Sequence, residues 1–232
     1  MHAIILAGGF GTRLRSAVSD VPKPLAPIWD RPFIAWLIGF LAKEGVSGVT
    51  LSVHHDWQKI RDYFAVNPSR LPVDYAVEET PLGTGGAIAY ALAKLKGTGS
   101  VMVLNGDSFV RADYRALYRQ HQRSGTSLTM VLREVPDTGR YGRVIEKDGI
   151  ITSFASGEPG RVGLINAGVY VMQADLFLKH PMSPTFSFEQ DFLPPRVASL
   201  RPHSFRADDY FIDIGIPADY VRACRELPDV FK

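Results

Sequence analysis

In the first half of the chain, short apolar runs that are typical of strands alternate with segments whose apolar residues recur at helical spacing. His2 to Leu6 is a short apolar run that ends in glycines, which is typical of a buried strand in a parallel sheet. Phe33 to Lys43 has a helical pattern, with Pro32 in its first turn and Gly45 as its stop signal. The same reasoning predicts strands over 49–53, 73–77, 100–104 and 127–132, and helices over 57–64, 85–96 and 114–123. This alternation predicts a parallel sheet with helices on both faces.

The pattern changes after residue 133. Tyr141 to Ile145 and Ile150 to Phe154 flank Asp148-Gly149, a strong turn signal, and this predicts a β-hairpin. Further strands are predicted over 165–172, 203–206 and 210–214, a helix over 188–199 that is broken by Pro194-Pro195, and a last helix that begins at Pro217. No linker, repeat or low-complexity tract separates the two patterns. We therefore predict one domain over residues 1–232 with two halves, 1–132 and 133–232.

The composition is that of an ordinary globular protein. The 232 residues are 46% hydrophobic and 22% charged with a net charge of +2, so a large basic surface for nucleic acid is not expected. Cys224 is the single cysteine, which excludes an intramolecular disulfide, and we interpret it as a packing residue. The longest apolar stretch, 33–42, is shorter than the about 20 residues of a membrane span. The N-terminus lacks a basic segment before its apolar run, so we expect a soluble, cytoplasmic protein without a signal peptide.

Residues 6–14, LAGGFGTRL, place three glycines and one arginine at the end of the first predicted strand. No Gly-Lys-Ser or Gly-Lys-Thr occurs in the chain, which excludes the P-loop. Phe10 and Leu14 stand where the dinucleotide fingerprint requires glycine, so that motif is excluded too. The remaining candidates are a longer loop whose backbone N–H groups surround a nucleotide while Arg13 reaches the phosphates, and a glycine-rich turn with a solvated arginine.

A second cation follows the glycine loop. Lys23 lies between Pro22 and Pro24, which stiffen the backbone that carries it. A fixed lysine close to a glycine loop suits an anionic ligand. The alternative is an exposed, proline-rich turn.

LAGGFGTRL followed by PKPL resembles the start of the sugar-1-phosphate nucleotidyltransferases. Four further segments resemble motifs of that family, in the same order: 79–86 (ETPLGTGG), 104–107 (LNGD), 165–170 (INAGVY) and 211–215 (FIDIG). The resemblance implies the nucleotide-diphospho-sugar transferase fold, a Rossmann-like mixed, mainly parallel sheet flanked by helices. Because the chain ends in a helix soon after Asp213, we expect no C-terminal β-helix.

The family joins an NTP to a sugar 1-phosphate and releases pyrophosphate. The nucleophile is already a phosphate anion, so the chemistry needs cations and backbone donors rather than a general base. The resemblance assigns Arg13 to the leaving phosphates and Lys23 to the α-phosphate or the sugar phosphate. It assigns Mg²⁺ to Asp107 and Asp213, because carboxylates, phosphate oxygens and waters suit this ion. For each aspartate the alternative is a turn or capping residue.

The same resemblance divides the remaining site residues between the halves. In the nucleotide-binding half, 1–132, it points to Leu6, Ala7, Gly8, Gly9, Gly11, Thr12, Glu79, Leu82, Gly83, Thr84 and Gly106. For the sugar it points to Asn105, Gly142, Asn166 and Glu189, the last three in the sugar-binding half, 133–232. Glu79 has a surface carboxylate as its alternative, and Glu189 an ordinary first-turn helix glutamate.

One segment departs from the family. Relatives often carry Glu-Lys before the N-x-G strand, and that lysine contacts the sugar phosphate. Residues 154–161 contain no lysine, so either Arg161 replaces it or Lys23 binds the phosphate alone, and Glu158 is not expected to be a ligand.

Residues 163–168 and 187–191 resemble the compact guanylyltransferases that act on D-glycero-α-D-manno-heptose 1-phosphate for surface polysaccharides. The resemblance leaves mannose 1-phosphate guanylyltransferase and N-acetylmuramate 1-phosphate uridylyltransferase as alternatives. A non-catalytic nucleotide-sugar-binding regulatory subunit is less favoured, because Arg13, Lys23, Asp107 and Asp213 are all present. A glycosyltransferase would lack the glycine loop with its arginine. GTP is the expected nucleotide, and a homo-oligomer is possible.

Overall fold

The computed structural model describes residues 1–9, 14, 18, 21–95 and 99–231. The strands are β1 His2–Leu6, β2 Pro27–Ile28, β3 Arg31–Pro32, β4 Gly48–Val53, β5 Val73–Val77, β6 Ser100–Asn105, β7 Ser108–Val110, β8 Leu128–Val135, β9 Arg143–Lys147, β10 Ile150–Ala155, β11 Gly163–Gln173, β12 His203–Arg206 and β13 Phe211–Asp213. The α-helices are α1 Phe33–Lys43, α2 Trp57–Val66, α3 Gly83–Leu95, α4 Tyr114–Ser124, α5 Leu176–Lys179, α6 Leu193–Leu200 and α7 Pro217–Val230.

A nine-stranded mixed sheet runs through the molecule in the order β5-β4-β1-β6-β11-β8-β12-β10-β9. The end formed by β5, β4, β1 and β6 is entirely parallel. Beyond β6 the pairs are antiparallel except for β8 with β12. Since β6 pairs directly with β11, the two ends form one continuous sheet. The predicted mixed sheet is confirmed.

Side chains alternate between two apolar layers, as expected for a sheet that is covered on both faces. Ile5 packs in the layer that also holds residues of α1, α2, α4 and α7. Its neighbour Ile4 packs in the opposite layer, with residues of α3 and α6. The helices on both faces are therefore confirmed, and none of those in the described part of the chain is long and apolar enough to cross a membrane.

The hairpin of β9 and β10 forms where the turn signal predicted it. Asp148 and Gly149 both have positive φ values, 52° and 78°, as the tight hairpin turn requires. The predicted break at Pro194-Pro195 is wrong. A π-helical turn, Phe188–Phe192, leads directly into α6, and the two prolines lie in the first turn of that helix, where no N–H is needed.

Two short strands make a separate ribbon beside the main sheet. β7 pairs with β13 antiparallel, with Ser108 opposite Asp213. A three-residue strand such as β7 carries too little pattern to be found by periodicity, and it was not predicted. The ribbon nevertheless brings the segment after β6 and the segment before α7 side by side.

Candidate active site

A cavity of about 300 Å³ opens at the carboxyl ends of the parallel strands. This edge is where open α/β sheets bind their ligands. The lining residues come from the ends of β1, β4, β5 and β6, from the 3₁₀ turn at Lys23–Leu25 and from the start of α3: Leu6, Ala7, Gly8, Gly9, Lys23, Pro24, Ser52, His54, Glu78, Pro81, Leu82, Gly83, Thr84, Ala87, Asn105, Gly106 and Asp107. The structure thus brings together Lys23, Asp107, Asn105 and most of the predicted nucleotide-binding residues.

In the described part of the glycine loop, Gly8 packs against His54, and Gly9 lies on the open side, where no described residue is in contact. A β-carbon on Gly8 would lie 3.3 Å from the backbone nitrogen of His54, whereas one on Gly9 would meet no atom of the described residues within 4 Å. The open side at Gly9 lets a ligand approach the main chain closely. Gly11, Thr12 and Arg13 lie outside the described residues, so their assigned roles stay predictions.

Lys23 forms an ion pair with Asp107 at the cavity. The Nζ atom of Lys23 lies 2.5 Å from Oδ2 of Asp107, and the lysine side chain is only 10% exposed. Lys23 opens a short 3₁₀ turn between Pro22 and Leu25, which fixes its backbone as the sequence predicted. A buried cation and a carboxylate therefore share one wall of the cavity.

Asp213 reaches the same region through the β7–β13 ribbon. The backbone N–H of Ile214 donates to the carbonyl oxygen of Asp107 at 2.9 Å, and Oδ1 of Asp213 accepts from the N–H of Gly215 at 2.7 Å. Burial raises the pKa of Asp213, and the negative charge of Asp107 raises it further. The two predicted metal ligands are thus close enough to repel each other electrostatically.

This arrangement fits a hard divalent cation. A cation between the two carboxylates would remove their repulsion, and oxygen atoms are the ligands that Mg²⁺ prefers. Among the residues that the structure describes, no cluster of three or more His, Cys, Asp or Glu side chains is present. An ion here would therefore take its remaining ligands from substrate and water, as is usual for Mg²⁺ at phosphate sites.

A buried carboxylate that the sequence did not predict lies in the cavity wall. Glu78 is 8% exposed, and it accepts hydrogen bonds from the Ser52 hydroxyl at 3.0 Å and from the backbone N–H of Leu82 at 3.2 Å. The N–H of Glu78 extends the strand ladder to Val53, so consecutive side chains point to opposite sides. Glu79 is exposed and outside the cavity lining, so the structure does not bring it together with the other predicted nucleotide-binding residues, and its assignment stays a prediction.

Gly106 has a packing role in addition to lining the cavity. Its N–H donates to the carbonyl oxygen of Leu6 at 2.9 Å, and a β-carbon at this position would overlap the same oxygen. The glycine before Asp107 therefore lets the ends of β1 and β6 approach closely.

Of the predicted sugar-binding residues, Asn105 lines this cavity, whereas Gly142, Asn166 and Glu189 do not. Asn166 donates from Nδ2 to the hydroxyl of Tyr170 at 2.6 Å and accepts at Oδ1 from the N–H of Gly168 at 3.0 Å. Glu189 accepts from the hydroxyls of Thr84 at 2.5 Å and Tyr170 at 3.2 Å. Both side chains lie in one polar network that ends at Thr84 in the cavity wall.

Gly142 is positioned by its neighbour Tyr141, on the side of the site that carries Asp213. The ring of Tyr141 packs against Phe211 of β13, with centroids 6.1 Å apart, which places Gly142 beside the strand that carries Asp213. The adjacent Arg140 pairs with Asp219 of α7 at 2.5 Å.

Arg161 is held by Glu158. Its Nη1 atom donates to both carboxylate oxygens, at 2.8 and 2.7 Å, and Arg143 pairs with the same carboxylate at 2.5 Å. Arg161 is outside the cavity lining, so the structure does not bring it together with Lys23.

The cavity residues that the sequence analysis missed are Pro24, Ser52, His54, Glu78, Pro81 and Ala87. Ser52 and His54 lie at the carboxyl end of β4, the parallel neighbour of β1. The rule that ligands bind at this edge would have pointed to them once β4 was placed next to β1.

Comparison with known proteins covers nearly the whole chain. The family model described as nucleotidyl transferase matches residues 2–230. A D-glycero-alpha-D-manno-heptose 1-phosphate guanylyltransferase of Aneurinibacillus thermoaerophilus is 40% identical over 227 residues, which are 98% of each protein. The protein of the same name from Campylobacter jejuni subsp. jejuni is 38% identical over 95% of this chain and 97% of its own.

The solved structures agree with this result. The crystal structure of HddC from Yersinia pseudotuberculosis superposes with a TM-score of 0.86 at 37% identity, over 97% of this chain and 98% of that one. HddC has also been solved as a complex with GMP-PN, and that structure gives a TM-score of 0.84. A UDP-glucose pyrophosphorylase, at 18% identity and a TM-score of 0.79, shares the fold. Fold, motif order and full-length similarity therefore agree, and the chain belongs to the nucleotidyl transferase family.

Proposed function

We propose that the protein transfers GMP from GTP to D-glycero-α-D-manno-heptose 1-phosphate and releases pyrophosphate. The observation that carries this proposal is the similarity over almost the full length to two heptose 1-phosphate guanylyltransferases. A mannose-1-phosphate guanylyltransferase of Mycobacterium tuberculosis is less similar, at 31% identity, and this chain covers 64% of its length. The product, a GDP-heptose, would serve surface polysaccharide synthesis in the cytoplasm.

The reaction is an in-line displacement at the α-phosphorus of GTP. A phosphate oxygen of the sugar 1-phosphate forms the new bond, the bond from the α-phosphorus to the bridging oxygen breaks, and pyrophosphate leaves. Both reactants are anions, so the protein must hold like charges together. Lys23 is the described cation in the cavity wall, and we assign it to the α-phosphate and the sugar phosphate. The assignment of Arg13 to the leaving phosphates stays a prediction.

We assign Mg²⁺ to Asp107 and Asp213. Their proximity across the β7–β13 ribbon and the raised pKa of Asp213 support this assignment. When bound, the ion would neutralise the charge that develops on the phosphate oxygens. The ion pair with Asp107 holds the Lys23 ammonium in the cavity wall, so the chain itself supplies one positive charge beside the proposed metal ligand Asp107.

Glu78 is our candidate for recognition of guanine. Guanine presents N1–H and N2–H donors on one edge, whereas uracil presents a single N–H there. Each carboxylate oxygen of Glu78 has accepted one hydrogen bond, and a carboxylate has about four acceptor positions. The buried carboxylate therefore keeps one acceptor on each oxygen for a guanine edge, which would discriminate against bases that lack the paired donors.

The test is a matrix of GTP, UTP, CTP, ATP and dTTP against heptose, mannose, glucose and N-acetylmuramate 1-phosphates, with Mg²⁺. Pyrophosphate release is measured, and the nucleotide sugar is identified by mass. We expect the highest kcat/KM for GTP with the heptose substrate and loss of turnover in Asp107→Asn. A preference for mannose 1-phosphate or for UTP would overturn the assignment of substrates. Absence of turnover with every pair would favour the regulatory subunit.

Base selection is tested separately with Glu78→Gln. An amide keeps the shape but offers an acceptor and a donor, so we expect kcat/KM for GTP to fall by about 100-fold. Glu79→Gln is the matched control, because its side chain is exposed and outside the cavity. Equal effects of the two substitutions would contradict the assignment of Glu78.

A further inference from the structure

A segment of the predicted sugar-binding half packs on the start of α3, beside the part of the cavity wall that residues 82–84 form. We call this segment, residues 184–189, the strap. The N–H of Phe186 donates to the carbonyl oxygen of Leu82 at 3.0 Å, and the carbonyl oxygen of Phe186 accepts from the N–H of Gly85 at 3.0 Å. The first N–H groups of a helix lack intrahelical partners. The strap therefore caps α3 from the other half of the chain.

The glycines of the LGTGG motif lie directly beneath the strap. A β-carbon on Gly83 would lie 2.6 Å from the carbonyl oxygen of Phe186, and one on Gly85 would overlap the Phe186 ring. One on Gly86 would overlap the carbonyl oxygen of Pro184. These glycines thus leave room for the backbone of the strap and for its Phe186 ring, and the position of the cavity wall at 82–84 depends on the strap.

Glu189, at the end of the strap, connects this wall with the predicted sugar side. One carboxylate oxygen accepts from the hydroxyl of Thr84 at 2.5 Å, and the other accepts from the hydroxyl of Tyr170 at 3.2 Å. Thr84 Oγ1 in turn accepts from the N–H of Phe188 at 2.9 Å, and the Tyr170 hydroxyl accepts from Nδ2 of Asn166 at 2.6 Å. The network runs without interruption from Asn166 to the cavity.

The donors and acceptors of this network have fixed roles. Tyr170 is fully buried, so its hydroxyl keeps its proton and donates to Glu189. Hydrogen bonds to an ionised carboxylate are shorter and stronger than those between neutral groups. Because both oxygens of Glu189 are engaged, a change at Asn166 reaches Thr84 through three hydrogen bonds, two of them to the carboxylate of Glu189.

We propose that Glu189 is a positioning residue that couples the two substrate sites, so that sugar 1-phosphate and GTP each tighten the binding of the other. The inference rests on the proposed function and replaces the prediction that Glu189 binds sugar hydroxyls directly. A sugar hydroxyl that engages Asn166 would hold the Asn166–Tyr170–Glu189 chain in one arrangement and with it the wall at 82–84. The conformational entropy that is lost when this wall is ordered is then lost only once. The second ligand therefore binds more tightly than it would alone, which is positive coupling. Coupling of this kind is reciprocal.

The experiment measures affinity for an unreactive GTP analogue whose bridging oxygen between the α- and β-phosphorus atoms is replaced by methylene. The dissociation constant is determined by calorimetry with Mg²⁺, with and without saturating heptose 1-phosphate. In the wild type we expect the sugar phosphate to tighten analogue binding by at least about fivefold. In Glu189→Gln and in Tyr170→Phe we expect this factor to fall to about one, because each breaks the network at a different point.

Asp191→Asn is the matched control. Asp191 caps the same helical turn by accepting from the N–H of Ser187 at 2.7 Å, and neither the Thr84 nor the Tyr170 contact involves it. We expect this variant to keep the wild-type coupling factor. A wild type without coupling, a Glu189→Gln enzyme that keeps it, or an Asp191→Asn enzyme that loses it equally would each overturn the proposal.

The coupling result is distinguishable from the test of the proposed function. If another sugar 1-phosphate is the substrate and shows Glu189-dependent coupling, the heptose assignment fails and the role of Glu189 stands. If heptose 1-phosphate is turned over with GTP but shows no coupling, the role of Glu189 fails and the proposed function stands.

Discussion

The two ends of the central sheet carry their polar chemistry in different ways. At the parallel end, a β-carbon on Gly9 would meet none of the described residues within 4 Å, and the ends of four strands leave a cavity of about 300 Å³. At the antiparallel end, Asn166 is hydrogen-bonded to Tyr170, and Arg161, the candidate replacement for the family lysine, is paired with Glu158. The parallel end therefore has room for a large anion. The antiparallel end is a rigid wall whose polar groups have few free hydrogen-bonding positions.

The glycines of the parallel end provide the sharpest test of this difference. Gly86→Ala would drive a β-carbon into the carbonyl oxygen of Pro184, and we expect the free energy of unfolding to fall by about 3 kcal/mol. Gly9→Ala meets no neighbour among the described residues, so we expect a change in the free energy of unfolding of less than about 0.5 kcal/mol and a loss of GTP affinity of about 10-fold. Denaturant unfolding and calorimetry measure both quantities. A Gly9→Ala protein as unstable as Gly86→Ala would contradict the open side of the loop.

Acid should weaken the antiparallel end first. His121 is fully buried against Thr129 of β8, and its pKa is lowered to about 4, mainly by burial and also by the charge of His203 on β12. The unfolded chain, with a histidine pKa near 6.5, takes up this proton between pH 6.5 and 4, and the folded protein does not. The neutral, buried His121 therefore makes its full contribution to the free energy of unfolding above pH 6.5, and this contribution shrinks as the pH falls.

From pH 6.5 to pH 5 the expected loss of unfolding free energy from His121 is about 2 kcal/mol. Denaturant unfolding measured at several pH values tests this, with hydrogen exchange reporting whether β8 and β12 lose protection before β1 and β4. In His121→Gln this part of the pH dependence should vanish. An unchanged slope in that variant would show that other groups cause it.

The smallest effect is expected at Arg161. Its guanidinium is half exposed and already engaged by Glu158, and exposed ion pairs contribute about 0–1 kcal/mol. Arg161→Ala should therefore change KM for the sugar 1-phosphate by less than about twofold. Steady-state kinetics with saturating GTP measures it. An increase of 10-fold or more would instead make Arg161 the cation that replaces the family lysine.

Most of the fold followed from local pattern in the sequence. The strands β1, β4, β5 and β6 and the helix α1 have strong periodicity and clear end signals, and they form as predicted. β7 has too few residues for periodicity to show, yet its pairing with the predicted strand β13 brings Asp213 to Asp107. Sequence similarity to family motifs pointed to both aspartates without showing how they meet.

The site was harder to predict where a residue's role depends on strand register or on distant contacts. Glu78 and Glu79 are adjacent in sequence, and only the continuation of the β5 ladder decides which one points into the cavity. Glu189 has the sequence context of a sugar ligand or a helix cap, and its contacts with Thr84 and Tyr170 span 105 and 19 residues. Contacts between segments so far apart leave no local pattern.

The central claim is that Asp107 from the parallel end and Asp213 from the β7–β13 ribbon act on one bound triphosphate. The most direct measurement is the single-turnover rate of pyrophosphate release in Asp213→Asn, with saturating GTP, heptose 1-phosphate and Mg²⁺. The control is Asp209→Asn, which removes the same charge from an exposed side chain nearby in the sequence. A shared role of Asp107 and Asp213 predicts a rate about 10³-fold lower in Asp213→Asn and an unchanged rate in Asp209→Asn. A rate in Asp213→Asn within about threefold of the wild type would contradict it.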